Sequence, residues 1–383
     1  MTSRLLRRWA FLLFSLPSAA IAQAPGGKDT LHMVFVGDLN FGRSLATNYI
    51  FTGKEDDVLA AVRNRLRAAD VTVGNLESII LDRGRYADTT NSPVFAGPLD
   101  ALRMLKDAGF DVLGNANNHA WDFGHAGLIE NIAHLDSAGF LHSGTGPNLG
   151  AAWRPAVVRV KGWTIAIFSL AAIFNYPDLT VTGHSAECCV AWADTLRAAE
   201  RFRTVRDSLG ADLVIAFVHA GLEYHPDPEP DVVMRFRALT RAGADIVIGH
   251  HPHVPQGVEV VGGKTIVYSL GNFVFKQGQP WTNRALWAEV VVTEAPRHRE
   301  AEAPEQQCTA PSVPRCLRAS VRLTLSPLAV GYTPTFLTGP DSAAVMAHVD
   351  SISRRIPAHP RLPNHRSGRY VAHPHRATTK RKH

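Results

Sequence analysis

The sequence predicts an α/β protein built largely on parallel strands. Short β-branched and aromatic runs recur along the chain with 10–15-residue amphipathic patterns between them, which is the mark of βαβ units. Two later runs, 284–293 and 319–325, have no helical pattern between them and predict antiparallel pairing. The 383 residues are 45% hydrophobic and 19% charged, with only 30 Gly and 24 Pro, which excludes wholly disordered, collagen-like and low-complexity chains. After residue 30 no uncharged apolar run reaches about 18 residues, so a polytopic membrane protein is excluded.

The first segment reads as an address. Residues 1–22 carry Arg4, Arg7 and Arg8, then an apolar run from Trp9 to Ala22, then Ala20-Ile21-Ala22 before a cleavage point. These are the three parts of a secretory signal peptide, and the run is too short to span a bilayer comfortably. The expected location is therefore periplasmic or extracellular. One folded domain is expected over 23–345. Its predicted strands are 31–37, 71–74, 111–114, 156–160, 163–169, 212–218, 245–249 and 264–270, with predicted helices at 55–68, 98–108, 125–137, 191–208 and 230–242. Residues 346–383 form a basic tail rich in Pro, His and Arg, expected to be mostly disordered. A contact of this tail with anionic lipid or polymer and a plain soluble terminus are both open.

The net charge of +6 comes from the ends. Residues 1–22 carry three Arg and no acid, and residues 351–383 carry nine Lys or Arg and no acid. The body, 23–350, holds 28 basic against 34 acidic side chains. The basic pI therefore gives no ground for a nucleic-acid partner. Cys188, Cys189, Cys308 and Cys316 allow three pairings, and none of their spacings resembles a zinc motif. Cys308 and Cys316 lie in a Pro- and Glu-rich stretch that reads as a surface insertion, where a structural disulfide and inert thiols are both open.

Polar residues cluster just past the predicted strands. Val34-Phe35-Val36 leads to Asp38 and Asn40; Val71-Thr72-Val73 to Asn75 and Glu77; Val112-Leu113 to Asn117-Asn118-His119; Ile215 to Val218 leads to His219; Ile246-Val247-Ile248 to His250, His251 and His253. In parallel sheets ligands bind beyond the carboxyl ends of strands, so these groups fall on one rim. Each alone has a plain reading as a turn, a cap or a core histidine. Together they are a set of oxygen and imidazole donors suited to Mn, Fe, Zn or Co. His251 and His253, two apart, point the same way if the segment is extended. Asp122 has two open roles, an acceptor that orients His119 or the N-cap of the helix that follows. Arg43 is either a contact for an anionic substrate or an ion-paired surface residue.

These stretches resemble the CapA family of capsule synthesis proteins, named for poly-γ-glutamate capsules. The matching segments are Gly37-Asp38 with Gly42-Arg43; Asn75-Leu76-Glu77; Asn117 to Ala120 with Asp122 and Gly124; His219-Ala220-Gly221 with Glu223-Tyr224; Gly249 to Gln256; and Ser269 to Phe273. The family is similar to calcineurin-like metallophosphoesterases. The resemblance implies a sandwich of two mixed β-sheets flanked by helices, with a two-metal site. It implies that Asp38 binds the first metal, that Glu77 replaces a bridging Asp, and that Asn118 and His219 bind the second metal. His251 and His253 would serve one metal each, and His119 would protonate the leaving group after attack by metal-activated hydroxide. Asn40 stands where phosphoesterases often have a ligand His. Asn75, Glu223 and Asn272 fall at family positions around the substrate or behind the ligands. The implied activity is metal-dependent hydrolysis of a phosphoester or of an anionic or envelope polymer. The alternative is a non-catalytic part of the capsule-synthesis machinery.

Overall fold

The computed structural model describes residues 28–85, 94–175, 189–294 and 319–360. The expected signal peptide, Cys188, Cys308, Cys316 and the tail beyond 360 lie outside them. Two mixed sheets pack face to face and carry helices on their outer faces, as expected.

The first sheet has eight strands. In spatial order seven run Thr335–Phe336, Ala319–Ala329, Arg284–Glu294, Leu31–Leu39, Val71–Leu76, Val112–Gly114 and Leu141–Ser143, and the eighth, Asn272–Val274, also pairs with Leu31–Leu39. The second sheet runs Val258–Val261, Lys264–Val267, Ile246–His250, Leu213–His219, Trp163–Ala171 and Ala156–Val160. Its four central strands pair in parallel and its two outer strands antiparallel. The run at 284–294 pairs antiparallel with 319–329, as predicted, and also with 31–35.

Alternation along each strand divides the side chains between two cores. Met33 and Phe35 face the second sheet, where they meet Ile215, Phe217, Ile246 and Ile248. Val34 and Val36 face outward onto Leu66, Leu102 and Leu105 of the covering helices. The second sheet does the same, with Phe168, Val214 and Ala216 packed on Phe202, Val233 and Phe236. Strands buried on both faces need continuous apolar runs, which is how these segments read. A buried side chain of this size stabilises by roughly 1.5–3 kcal/mol relative to exposure.

Some boundaries differ from expectation. The predicted helix 55–68 is two pieces, Glu55–Val58 and Arg63–Ala68, because the turn between them drives both Leu59 and Val62 into the core. The helix predicted from 191 starts at Thr195, where Asp194 caps it by accepting from the N–H groups of Leu196 and Arg197 at 2.8 and 3.2 Å. The domain boundary at 345 and the disordered tail from 346 are corrected by the helix Gly339–Arg355. Val345, Val349 and Ile352 are its buried stripe. Their helical spacing, three and four apart, outweighs the Arg and His content that suggested a tail.

Two glycines allow the strand ends to reach the site. A Cβ on Gly37 would lie 1.9 Å from the Gly271 carbonyl oxygen, and one on Gly249 would lie 1.9 Å from that of Tyr268. Both stand next to site residues, Asp38 and His250. Gly37→Ala or Gly249→Ala should therefore lower the urea midpoint by the equivalent of about 1–3 kcal/mol or more. An unchanged midpoint would mean that these backbone contacts are not as close as they stand here.

Candidate metal centre

Register brings the polar strand ends together. Asp38 pairs with Asn75 on one side and Asn272 on the other. In the second sheet His219 pairs with His250. The two sheets then present these ends to each other across the sandwich.

Asp38 is buried and its carboxylate is crowded with donors. Oδ1 lies 2.8 Å from Asn75 Nδ2 and 3.0 Å from His250 Nδ1. Oδ2 accepts from the His251 N–H at 3.4 Å and lies 3.2 Å from His253 Nδ1. Burial raises the pKa of such a group, but hydrogen bonds and charge from His250 and His253 outweigh it and hold Asp38 well below the carboxylate range.

Glu77 is the opposite case. It is fully buried, and neither oxygen has a hydrogen-bond partner among the described residues. Around Oε1 stand three imidazole Nε2 atoms, of His253 at 3.6 Å, His219 at 3.7 Å and His119 at 4.0 Å. These distances are too long for hydrogen bonds. Burial holds Glu77 well above the usual range; His253 opposes this, while Asp38, Glu223 and Asp122 add to it. Glu77, His251 and His253 offer ligand atoms that all lie within 4.8 Å of one another. His219 and Asn118 stand beside them, with His219 Nε2 2.8 Å from Asn118 Oδ1 and 3.1 Å from His251 Nδ1. An orphaned buried carboxylate facing several imidazoles fits a divalent cation better than any protein donor in reach. Burial pulls His219 down, and burial with the His253 charge pulls His251 to about 4, so both rings stay neutral and able to ligate.

His251 and His253 converge as expected, but not on an extended segment. Their φ angles are 97° and 59°, in the left-handed region. Such a backbone costs about 1–3 kcal/mol per residue and is tolerated where surroundings enforce it. Here the Asp38 carboxylate accepts from the His251 N–H, and Asn272 Oδ1 lies 2.9 Å from His253 Nδ1.

His119 is fixed on three sides. Its Nδ1 lies 2.7 Å from Asp122 Oδ2, its ring stacks on Phe95 at 3.7 Å, and its N–H donates to Asn117 Oδ1 at 3.1 Å. Asp122 also accepts from the Phe95 N–H at 2.7 Å. The following helix has Phe123 at its N-cap with no side-chain cap, so the orienting role of Asp122 is the one the geometry favours. Arg43 is half-buried with its guanidinium 4.3 Å from the Phe95 ring, and Tyr224, Glu77, Asp122 and Glu223 face it. Asn75 bridges Asp38 and His219, lying 3.2 Å from His219 Nδ1. Asn40 serves the backbone, its Oδ1 accepting from the Gly42 N–H at 2.9 Å.

Several contributors carry more than their motif or local sequence indicates. Asn117 pins its loop by donating to the Leu76 carbonyl at 2.8 Å. His250, in sequence one of a histidine cluster, faces Asp38 Oδ1 with its Nδ1 at 3.0 Å. Phe95 and Gln277 gave no local signal, because their value comes from partners more than twenty residues away or in another loop. Gln277 accepts from Asn272 Nδ2 at 3.0 Å and donates to the Tyr224 hydroxyl at 3.1 Å.

The family model described as bacterial capsule synthesis protein PGA_cap matches residues 32–277, which include all of these side chains. The chain belongs to this family. The PGA biosynthesis protein CapA of Bacillus subtilis is 33% identical over 71% of this chain and 70% of its own length. The capsule biosynthesis protein CapA of Bacillus anthracis is 31% identical over 66% of this chain and 61% of its own. A hypothetical protein from Thermus thermophilus aligns in structure over 77% of this chain and 99% of its own, with a TM-score of 0.42 and 16% identity. Among the described residues no helix is long and apolar enough to cross a membrane.

Two outcomes are expected. Glu77→Gln and His251→Ala should each lose bound cation in elemental analysis, and unchanged content in both would remove the site. Burial works against the charge on His253, but the Glu77 carboxylate and the Asp38 contact push its pKa up to about 9. The His253 ring therefore holds its extra proton at pH 7 when no cation is present. A cation that takes Nε2 of His253 must displace that proton, so binding at pH 7 should release a proton and weaken as pH falls. Calorimetry in buffers of different ionisation enthalpy reads this directly, and identical enthalpies would contradict it.

Proposed function

We propose that this chain is an extracytoplasmic metal-dependent hydrolase of capsule, poly-γ-glutamate or other envelope-polymer metabolism. The observation that carries the reading is the position of His119, with Nδ1 held by Asp122 and Nε2 turned towards the unpartnered carboxylate of Glu77 at 4.0 Å. A side chain held this way beside a set of cation ligands has the form of a proton donor, not of a core histidine.

Glu77, Asn118, His219, His251 and His253 would hold the cation, with oxygen and nitrogen donors that suit Mn, Fe, Zn or Co. When bound, a divalent cation supplies Lewis-acid polarisation and brings the pKa of water towards neutrality. Asp122 holds the Nδ1 proton of His119, so the ring presents Nε2 to the leaving group and hands over its proton there. Phe95 covers one face of the ring and keeps water from it. Arg43, 4.3 Å over the Phe95 ring, would offer charge to an anionic substrate, a phosphoester or a carboxylate-rich polymer. Residues 1–22 would direct the chain out of the cytoplasm, and the basic end would add a weak electrostatic contact with anionic lipid or polymer.

A second reading, a non-catalytic component of capsule assembly, is favoured by the names of the relatives, which refer to biosynthesis. His119→Ala separates the two. On the hydrolase reading the variant keeps its cations and loses about 10²–10⁴-fold in turnover on whichever phosphoester, peptide or glycan the wild type cleaves. In cells it then loses capsule as a deletion does. Capsule retained in His119→Ala and lost only on deletion would favour the assembly component.

A further inference from the structure

Three of the six non-glycine residues with positive φ stand together at the site, Tyr224 at 63°, His251 at 97° and His253 at 59°. Left-handed backbone at residues of this size persists only where the surroundings enforce it. Asp38 restrains the His251 end of the turn through the His251 N–H. Tyr224 belongs to a different loop, the one that follows the strand Leu213–His219, and needs a restraint of its own.

A closed circuit of polar contacts supplies it. The Tyr224 N–H donates to the carbonyl of Pro252, between the two histidines, at 2.8 Å. Asn272 Oδ1 lies 2.9 Å from His253 Nδ1. Gln277 joins these two ends. Its Oε1 accepts from Asn272 Nδ2 at 3.0 Å, and its Nε2 donates to the Tyr224 hydroxyl at 3.1 Å. A Gln side chain carries an acceptor and a donor on one planar group, so it can serve two partners at once. Among the described residues the Gln277 side chain makes no other hydrogen bond. Asn272 and Gln277 come from the first sheet, at the strand Asn272–Val274 and the loop after it, whereas Tyr224 and the histidine turn follow strands of the second. One half-buried amide therefore ties the two sheets together across the histidine turn. The Tyr224 ring lies over the same turn, its centroid 6.0 Å from that of His253.

From this circuit we infer that Gln277 is a positioning residue for the cation centre. It fixes Asn272 against His253 and Tyr224 against the Pro252 carbonyl, and so sets where the turn presents the rings of His251 and His253. The inference rests on the cation reading of the site. Groups that orient ligands from behind typically carry 10–100-fold in metal affinity, which is the size of effect expected here.

The test uses the full-length protein as wild type, Gln277→Leu, Tyr224→Phe and the double variant. Zinc affinity is measured by competition with a chelator, and the visible spectrum of the cobalt-loaded protein is recorded for each. If Gln277 positions, Gln277→Leu binds as many zinc ions per chain as wild type, about 10–100-fold more weakly, and its cobalt bands move. Tyr224→Phe opens the same circuit at the next bond and weakens binding in the same range. The double variant is then no weaker than the weaker single, because the two side chains act as one unit. Wild-type affinity and an unmoved cobalt spectrum in Gln277→Leu overturn the inference. Single losses that multiply in the double variant overturn it too, since the residues then act independently. Should Gln277→Leu fail to fold by thermal melting, Tyr224→Phe decides, and unchanged affinity there is the overturning result. A wild type that binds neither zinc nor cobalt removes the cation reading and this inference with it, and that outcome is read before any variant is made.

Discussion

The Asp38 carboxylate is the constraint on which the rest of the site depends. It gathers donors from the strand Val71–Leu76, from the end of the strand Ile246–His250 and from the turn that follows it. One of these strands belongs to the first sheet and the other to the second. The sandwich could pack its apolar faces at several small offsets, because dispersion and burial are not directional. A buried charge with four directed bonds is not so tolerant, since any offset leaves it unpaired at a cost of several kcal/mol. The same bonds support two histidines in left-handed backbone that the local sequence would not choose.

Close packing of backbone makes this convergence geometrically available. Gly37 and Gly249 let strand ends pass within reach of carbonyls that any side chain would push away. Hydrophobic layers on both faces of each sheet then hold the ends at fixed height. The polar network is small beside these cores, and it is the part of the contact between the sheets that has direction.

Much of the fold was legible in the sequence because both faces of the central strands are buried and the strands read as continuous apolar runs. The two mixed sheets followed from a family resemblance carried by motifs, and each motif lies at a strand end. Glu77, His251 and His253 were legible as donors by type and position. Their environments were not. Nothing local distinguishes Asp38, which is surrounded by donors, from Glu77, which has none, because the difference lies in residues 37 to more than 200 positions away. The helix Gly339–Arg355 was missed for a simpler reason, since its polar face of Asp, His and Arg masked a narrow apolar stripe. The convergence of His251 and His253 was foreseen from strand alternation and is produced instead by positive φ angles.

Phe95 belongs to neither main sheet. It stands at the start of a two-stranded ribbon, Ile79–Ile80 with Ala96–Gly97, and touches His119 by its ring and Asp122 by its backbone. Of the histidines facing Glu77 from the second sheet, His253 meets Phe95 only indirectly, through Phe275, whose ring lies 5.4 Å from that of Phe95 and 5.0 Å from that of His253. On the proposed reading the fold separates two duties, with the candidate histidine ligands anchored in the sandwich and the candidate proton donor braced by an appended ribbon. Sequence change around Phe95 would reach the tilt and solvation of His119 before it reached the histidines of the second sheet. If His119 is the proton donor, that ribbon is where its strength could be tuned without rebuilding the sandwich.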